Sequence, residues 1–576
     1  MAKSRFVLVA LLALMIGSMS TRTQTQTGQA PQDARTLLQA AAKNMGTDTL
    51  KTLQYSATGM IAAPGQGFDP LDERVGVPEN WPRFAVTDYT MTIDYATMSS
   101  REEYTRTAPV YARNYPGLDG GGGEHGNQSD PPGLRGGGFI NDPAPRRINQ
   151  VVSGNYAWDI QGNNPVRQWS YLSGIDAAEY RQLEIVMEPH GFIKAALAPG
   201  ANPTMVPGRN NQVMITVLGK YKVVGTVQQN LLTDTQTWIA HPIIGDLRIT
   251  HGYTRWKDFG GVKFYTDNHS HMFAGGEQDP VQYRILDVRA NVAIPANTFA
   301  VPQAVQQATR PVVRVEPQKL AEGVWLMAGG SHNSVLVEFR DFLAVVEAPQ
   351  NDERSQAVIA EVKRLVPNKP IRYVVNTHHH WDHSGGLRGF VAEGAAIVTH
   401  DENIPYYRQI MFGGNNKWTL QPDRLAKLEA GTNMPVNPQF VSVTNRYLLT
   451  DHAWGSDTAP KMMEVYLTAG GSPAFTSHDE WMLAVYLPTE KMLINADLYS
   501  PPTQGAKPPA TAPEGVVALG QLIRQNRLNV LQHVPIHGRP GTQEEFAKIL
   551  GGKVPPDSHG PLILPTTTTT TSSSRN

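Results

Sequence analysis

The segment NTHHHWDHSGG, residues 376–386, constrains this chain more than any other. It follows IRYVV, an apolar run of the kind that forms a strand buried on both faces. Such strands belong to sheets covered by helices, and open α/β sheets hold their sites at the carboxyl ends of the strands. His378 and His380 are two positions apart, so on an extended segment they point the same way. Asp382 and His383 follow at once, and Gly385-Gly386 is read as the turn by which the chain leaves. Imidazole and carboxylate without thiolate suit zinc, iron or manganese. The 576 residues contain no cysteine, which removes disulfides, thiolate metal sites and cysteine nucleophiles together.

Three more residues of the right type stand at the ends of predicted strands. They are His478 in TSHDEWM, Asp497 in LINADLYS and His537 in HVPIHG. With His378, His380, Asp382 and His383 they provide enough ligands for two metal ions. Asp479, beside His478, reads either as an acceptor for a ligating imidazole or as a plain turn residue. His379, His400, His452 and His533 are left as structural.

On these motifs the part from about 318 to 545 resembles the metallo-β-lactamase fold, an αββα sandwich of metal-dependent hydrolases. The resemblance implies a first metal site of His378, His380 and His478, and a second of Asp382, His383 and His537. Asp497 stands where many members have a bridging carboxylate. It implies two divalent cations, zinc first, with iron or manganese as alternatives. It also implies a metal-activated water as nucleophile, with Asp382 as the catalytic group that orients it and passes its proton on. GGSHNSV, 329–335, falls on an early hairpin that in this fold overhangs the metals, so His332 and Asn333 are candidate substrate contacts. Tyr499, two residues after Asp497, is a third.

Within the family, β-lactamases carry Cys or Ser where this chain has Asp497. THHHWDHSGG is close to the pattern of glyoxalase II, a thioesterase, yet little sequence follows His537 and no glutathione-binding helical domain is expected. Asp497 and His537 stand too close in sequence for the insert of the nuclease branches. The expected reaction is hydrolysis of an ester, lactone, thioester or amide-type substrate. The alternatives are a β-lactamase-type lactam hydrolase, an iron-dependent dioxygenase on the same fold, or an apolar-ligand-binding protein with an incidental hydrolase-like domain.

The rest of the chain gives organisation. Residues 1–20 carry Lys3 and Arg5, an apolar run over 6–15 and small residues at Ser18 and Ser20, the pattern of a signal peptide for export. That run is too short to span a bilayer, so no stable membrane span is expected after cleavage. Residues 21–33 and 561–576 are polar or Thr/Ser-rich and read as disordered. ARTLLQAAAKNM predicts a helix. From about 52 to 300 the signals are strands, with a Gly/Pro loop over 117–139. Residues 34–301 are therefore expected to form a mostly antiparallel β domain, weakly similar to the half-barrels of lipoprotein-carrier-like exported proteins. A linker is expected over 302–317 and the α/β domain over 318–560. Net charge is -1, and no Lys/Arg block is present, so the expected partner is a small molecule and not nucleic acid.

Overall fold

The computed structural model describes residues 33–67, 69–71, 81–110, 145–274, 276–414, 417–451, 460–468, 479–502, 509 and 512–551. The signal-peptide pattern, the Gly/Pro loop, the C-terminal tail, His452 and His478 lie outside them. Two assemblies of strands follow one another along the chain.

The first is an antiparallel sheet of thirteen strands among the described residues. Thr52–Ala62 lies near its middle, flanked by Arg83–Asp94 and Gly276–Ala290. Among the described residues three longer helices accompany it. Ala34–Met45 matches the expected helix, capped by Asp33 and stopped at Gly46 in the left-handed region. Ala177–Met187 and Pro189–Leu197 were not foreseen in a stretch read as strands. Helix Ala177–Met187 touches Ser99–Val110, Arg146–Ser153 and Tyr156–Gln161 on one wing of the sheet and Leu231–His241 on the other. Five strands separate those wings in the sheet order, so the sheet must curl round the helix. The mostly antiparallel β domain that the strand pattern suggested is what forms here.

The expected linker is less plain than its sequence. It holds a short helix, Gln303–Gln307, whose Val305 packs on Val151 and Trp158, and the next sheet already begins at Glu316.

The second assembly is a sandwich. Seven strands run from Glu316–Ala321 to Phe440–Val443, and six from Arg446–Thr450 to Gly541–Thr542. One apolar core joins the facing surfaces, with Val335, Val337 and Val346 against Val465, Val485 and Ile494. Helices Asp352–Leu365 and Leu387–Ala392 cover the outer face of the first sheet through Val358, Ile359, Val362, Leu387 and Phe390. Helix Glu514–Gln525 adds Val516, Leu519, Leu522 and Ile523 to the core of the two sheets. The order is helix, sheet, sheet, helix, as expected.

The register places the site. Val346 and Val375 are paired in neighbouring parallel strands, so Glu347 and Asn376 leave the sheet side by side. Asn495 and Pro535 are paired likewise, and Asp497 and His537 each lie two residues beyond that pair. All four therefore gather at carboxyl ends of strands.

Candidate metal centre

Three imidazoles meet one carboxylate at that edge. Asp497 Oδ2 lies 2.8 Å from His383 Nε2 and 3.2 Å from His378 Nε2, and Asp497 Oδ1 lies 2.7 Å from His537 Nε2. The Nε2 atoms of His383 and His537 are 3.2 Å apart. All four residues are buried.

The outer nitrogens decide what the inner ones carry. His383 Nδ1 donates to Glu347 Oε2 at 2.7 Å, and His537 Nδ1 donates to the Ser331 carbonyl at 3.0 Å. A carboxylate and a carbonyl only accept, so both outer nitrogens hold the proton and each Nε2 of the neutral ring presents a lone pair. Two lone pairs and a carboxylate aimed at one buried point repel unless a cation lies among them. Without a metal ion a proton takes that place, on His383. Burial disfavours a charged His383, but Asp497 and Asp382 outweigh it and hold the imidazole well above its usual range. Burial would raise Asp497, yet His383 and His537 hold it well below the carboxylate range. The donor set fits a divalent metal of the imidazole/carboxylate kind.

Backbone geometry at two carboxylates is unusual. Glu347 and Asp497 have φ of 72° and 57°, the left-handed region that costs a non-glycine residue about 1–3 kcal/mol. Glu347 secures its turn through both oxygens, since Oε1 accepts from Thr377 N–H at 2.7 Å.

Asp382 is held from both sides. Gln66 Nε2 donates to Oδ1 at 2.8 Å and His332 Nε2 donates to Oδ2 at 3.2 Å. His332 is kept neutral, pushed down to about 3 by burial and then by His537. Its Nδ1 lies 2.8 Å from Ser331 Oγ, which in turn accepts from Gln350 Nε2 at 3.0 Å. Buried Arg354 pins this hairpin by donating to the carbonyls of Met327 and His332. His332, Asp382, His383 and His537 bring ligand atoms within 4.8 Å of one another, as do His378, His383 and Asp497.

His380 is reached from the N-terminal half. Its Nε2 donates to the Gly67 carbonyl at 2.8 Å, which leaves the ring's lone pair at Nδ1. The neighbouring Trp381 N–H donates to the Gly65 carbonyl, and its indole meets Trp81 and His241 edge-on at 5.4 and 4.2 Å between centroids.

Several expectations are corrected. Asn333 does not face substrate, because its amide donates to the carbonyls of Pro535 and Gly538. Tyr499 is buried against His533 and Phe546 and packs the core. Asp479 takes as its partner, at 2.5 Å, Nδ1 of His379, a residue read from the sequence as structural. Gly385 and Gly386 have ordinary φ of −60° and −97° and are not there for a special turn. A Cβ on Gly385 would lie 1.9 Å from the Gln350 carbonyl oxygen, and one on Gly386 would lie 2.0 Å from Ser355 Oγ. Glu347, Gln66 and Gly67 were missed. Glu347 alone had a visible signal, a carboxylate closing the apolar strand FLAVV.

Residues 327–417 match the family model described as Metallo-beta-lactamase superfamily. No curated protein matches. Among solved structures, a metallo-beta-lactamase from Pontibacter korlensis is 19% identical over 41% of this chain and 98% of its own, with a TM-score of 0.28. One from Hirschia baltica is 20% identical over 41% and 97%, with a TM-score of 0.28. The mono-zinc form of metallo-beta-lactamase FIM-1 from Pseudomonas aeruginosa is 19% identical over 42% and 97%, with a TM-score of 0.27.

Proposed function

We propose that this chain, similar to the metallo-β-lactamase superfamily over residues 327–417, is a metal-dependent hydrolase of a small-molecule ester, lactone, thioester or amide. The observation that carries the reading is the convergence of His383 Nε2, His537 Nε2 and Asp497 on one buried point, each ring's outer nitrogen already committed.

In this reading His378, His380, Asp382, His383, Asp497 and His537 hold two divalent ions, zinc foremost, and His478 completes the set. Ions bound there supply Lewis acidity and acidify water toward neutral pH. The chain's own residues do the rest. Asp382 accepts the proton released on attack, and Gln66 and His332 fix which way its oxygens face. Glu347 and the Ser331 carbonyl set the tautomers of His383 and His537, and the Gly67 carbonyl sets that of His380. Asp497 in place of the sulfur or hydroxyl of dedicated β-lactamases favours oxygen esters, lactones and thioesters over lactams. The apolar run at 6–15 supports export, which N-terminal sequencing of the mature protein checks.

The deciding experiment couples metal analysis with a rate panel of lactone, thioester, aryl ester, cephalosporin and phosphodiester. We expect about two zinc-class ions per chain and a chelator-sensitive rate on the first three substrates. Metal-free protein with an undiminished rate would overturn the reading.

A further inference from the structure

The curled antiparallel sheet encloses a second site, remote in character from the metal centre. A cavity of about 210 Å³ opens between helix Ala177–Met187 and the middle strands. The sequence left open that such a half-barrel holds an apolar ligand. Its walls argue otherwise. Seven tyrosines line it, and so do four carboxylates, Glu102, Asp159, Glu184 and Glu188.

The charge there is one-sided. Among the described residues Arg181 is the only Lys or Arg on the wall, and it is already committed to Asp159 at 2.5 Å and to the carbonyls of Val151 and Trp158 at 2.9 Å each. His251 Nε2 is 3.7 Å from Glu184 Oε2, but burial and then His271 push that imidazole down to about 4, so it brings no charge near neutrality. Glu188 is cradled by Tyr55 at 3.0 Å and by Tyr265 at 2.9 and 3.0 Å. Glu184 Oε1 is buried with no hydrogen-bond partner. Burial drives all three glutamates up to about 7, and the charge of Glu184 raises Glu102 and Glu188 further. A wall made only to be a strut would neutralise such groups with a lysine or an arginine. This one keeps carboxylates facing a void, among π-faces that attract cations.

We propose that the cavity binds a small organic cation, an amine whose ammonium group sits among Glu102, Glu184 and Glu188 and whose carbon body lies against the tyrosine rings. The ammonium supplies the missing countercharge and the rings supply both apolar contact and cation–π attraction. Binding at pH 7 then ionises carboxyl groups that are half-protonated in the empty cavity, so it releases protons to the buffer.

The test uses the full chain with its metal and follows heat of binding for hexylammonium, choline, hexanol, hexanoate and glucose. Hexylammonium and choline should bind saturably, with hexanol at least tenfold weaker and hexanoate and glucose undetectable. Repeating the hexylammonium titration in buffers of different ionisation enthalpy should reveal proton release. Glu184→Gln should weaken hexylammonium at least fivefold, and the added change Glu102→Gln should abolish its binding. Both variants should keep the parent's hydrolytic rate, which shows that they are folded. Chelator-treated protein should still bind hexylammonium, so failure of the metal reading leaves this result standing. Hexanol or glucose binding as well as hexylammonium, no binding by any probe, or unchanged affinity in Glu184→Gln in a folded protein would each overturn the proposal.

Discussion

Glu347 holds His383 by the imidazole's outer nitrogen and Thr377 by its amide, from a backbone conformation that a glutamate adopts only under constraint. Glu347→Gln keeps the shape but loses the charge-assisted bond and can present an NH₂ to His383 instead of an acceptor. Loss of such an outer partner typically lowers metal affinity about 10–100-fold. Competition against a coloured chelator should show a fall in that range with the fold intact by circular dichroism. An unchanged affinity would mean that Glu347 is only a turn residue. Asn333 makes the opposite case, because its bonds join loops and not substrate. Asn333→Ala leaves the carbonyls of Pro535 and Gly538 short of a partner, which should destabilise the protein by about 1–3 kcal/mol. Thermal melting checks this, with KM expected unchanged. The metal motif was legible because its members stand together on one turn or at strand ends. Glu347, Asn333 and Tyr499 were missed or misread because side-chain direction is set by pairing between strands distant in sequence, which periodicity does not encode.

At the scale of elements, the stretch 63–67 reaches from the half-barrel into the metal centre. Gly65 has φ of +71°, and a Cβ there would lie 2.0 Å from Trp381 Cδ2. Neither the conformation nor the indole, wedged against Trp81 and His241, can yield cheaply. Gly65→Ala should therefore displace the stretch and cost Asp382 its Gln66 donor and His380 its Gly67 acceptor. We expect kcat to fall at least tenfold with faster metal loss to chelator. Gln66→Ala, which removes only the amide, should lower kcat less and speed metal loss less. Equal effects of the two would mean that the backbone contact to His380 does nothing. No sequence signal marks this stretch, since its partners lie more than 300 residues away, as with Gln66 and Asp382. The two helices Ala177–Met187 and Pro189–Leu197 escaped for another reason. They are short and buried on much of their surface, so they lack the clean polar face that reveals a helix.

For the whole molecule, one apolar core runs from the half-barrel through Trp81, Leu172 and Ile175 to Met327, Val358 and Trp381 of the sandwich. The two halves therefore share their stability, and strain in the cavity is felt by both. Glu102, Glu184 and Glu188 each titrate near 7 in the folded protein against 4.5 when unfolded, because burial penalises the carboxylate. At a pH above 4.5 the unfolded chain releases those protons while the folded one retains them. Their contribution is thus fully present below about 4.5 and is lost as pH rises through about 7. This downward contribution to melting temperature between pH 5 and pH 8 is superposed on the opposite one of the buried imidazoles His190, His241, His251 and His533, which burial keeps neutral and whose contribution is complete above about 6.5. The Glu102→Gln/Glu184→Gln double variant should flatten much of that slope, since a neutral amide has no proton to lose. Saturating hexylammonium should flatten it too, by favouring the carboxylates the empty cavity resists. A Glu102→Gln/Glu184→Gln variant whose melting profile runs parallel to the parent's from pH 5 to pH 8 would show that the carboxylates are not desolvated, and the physical basis of the amine site would go with them.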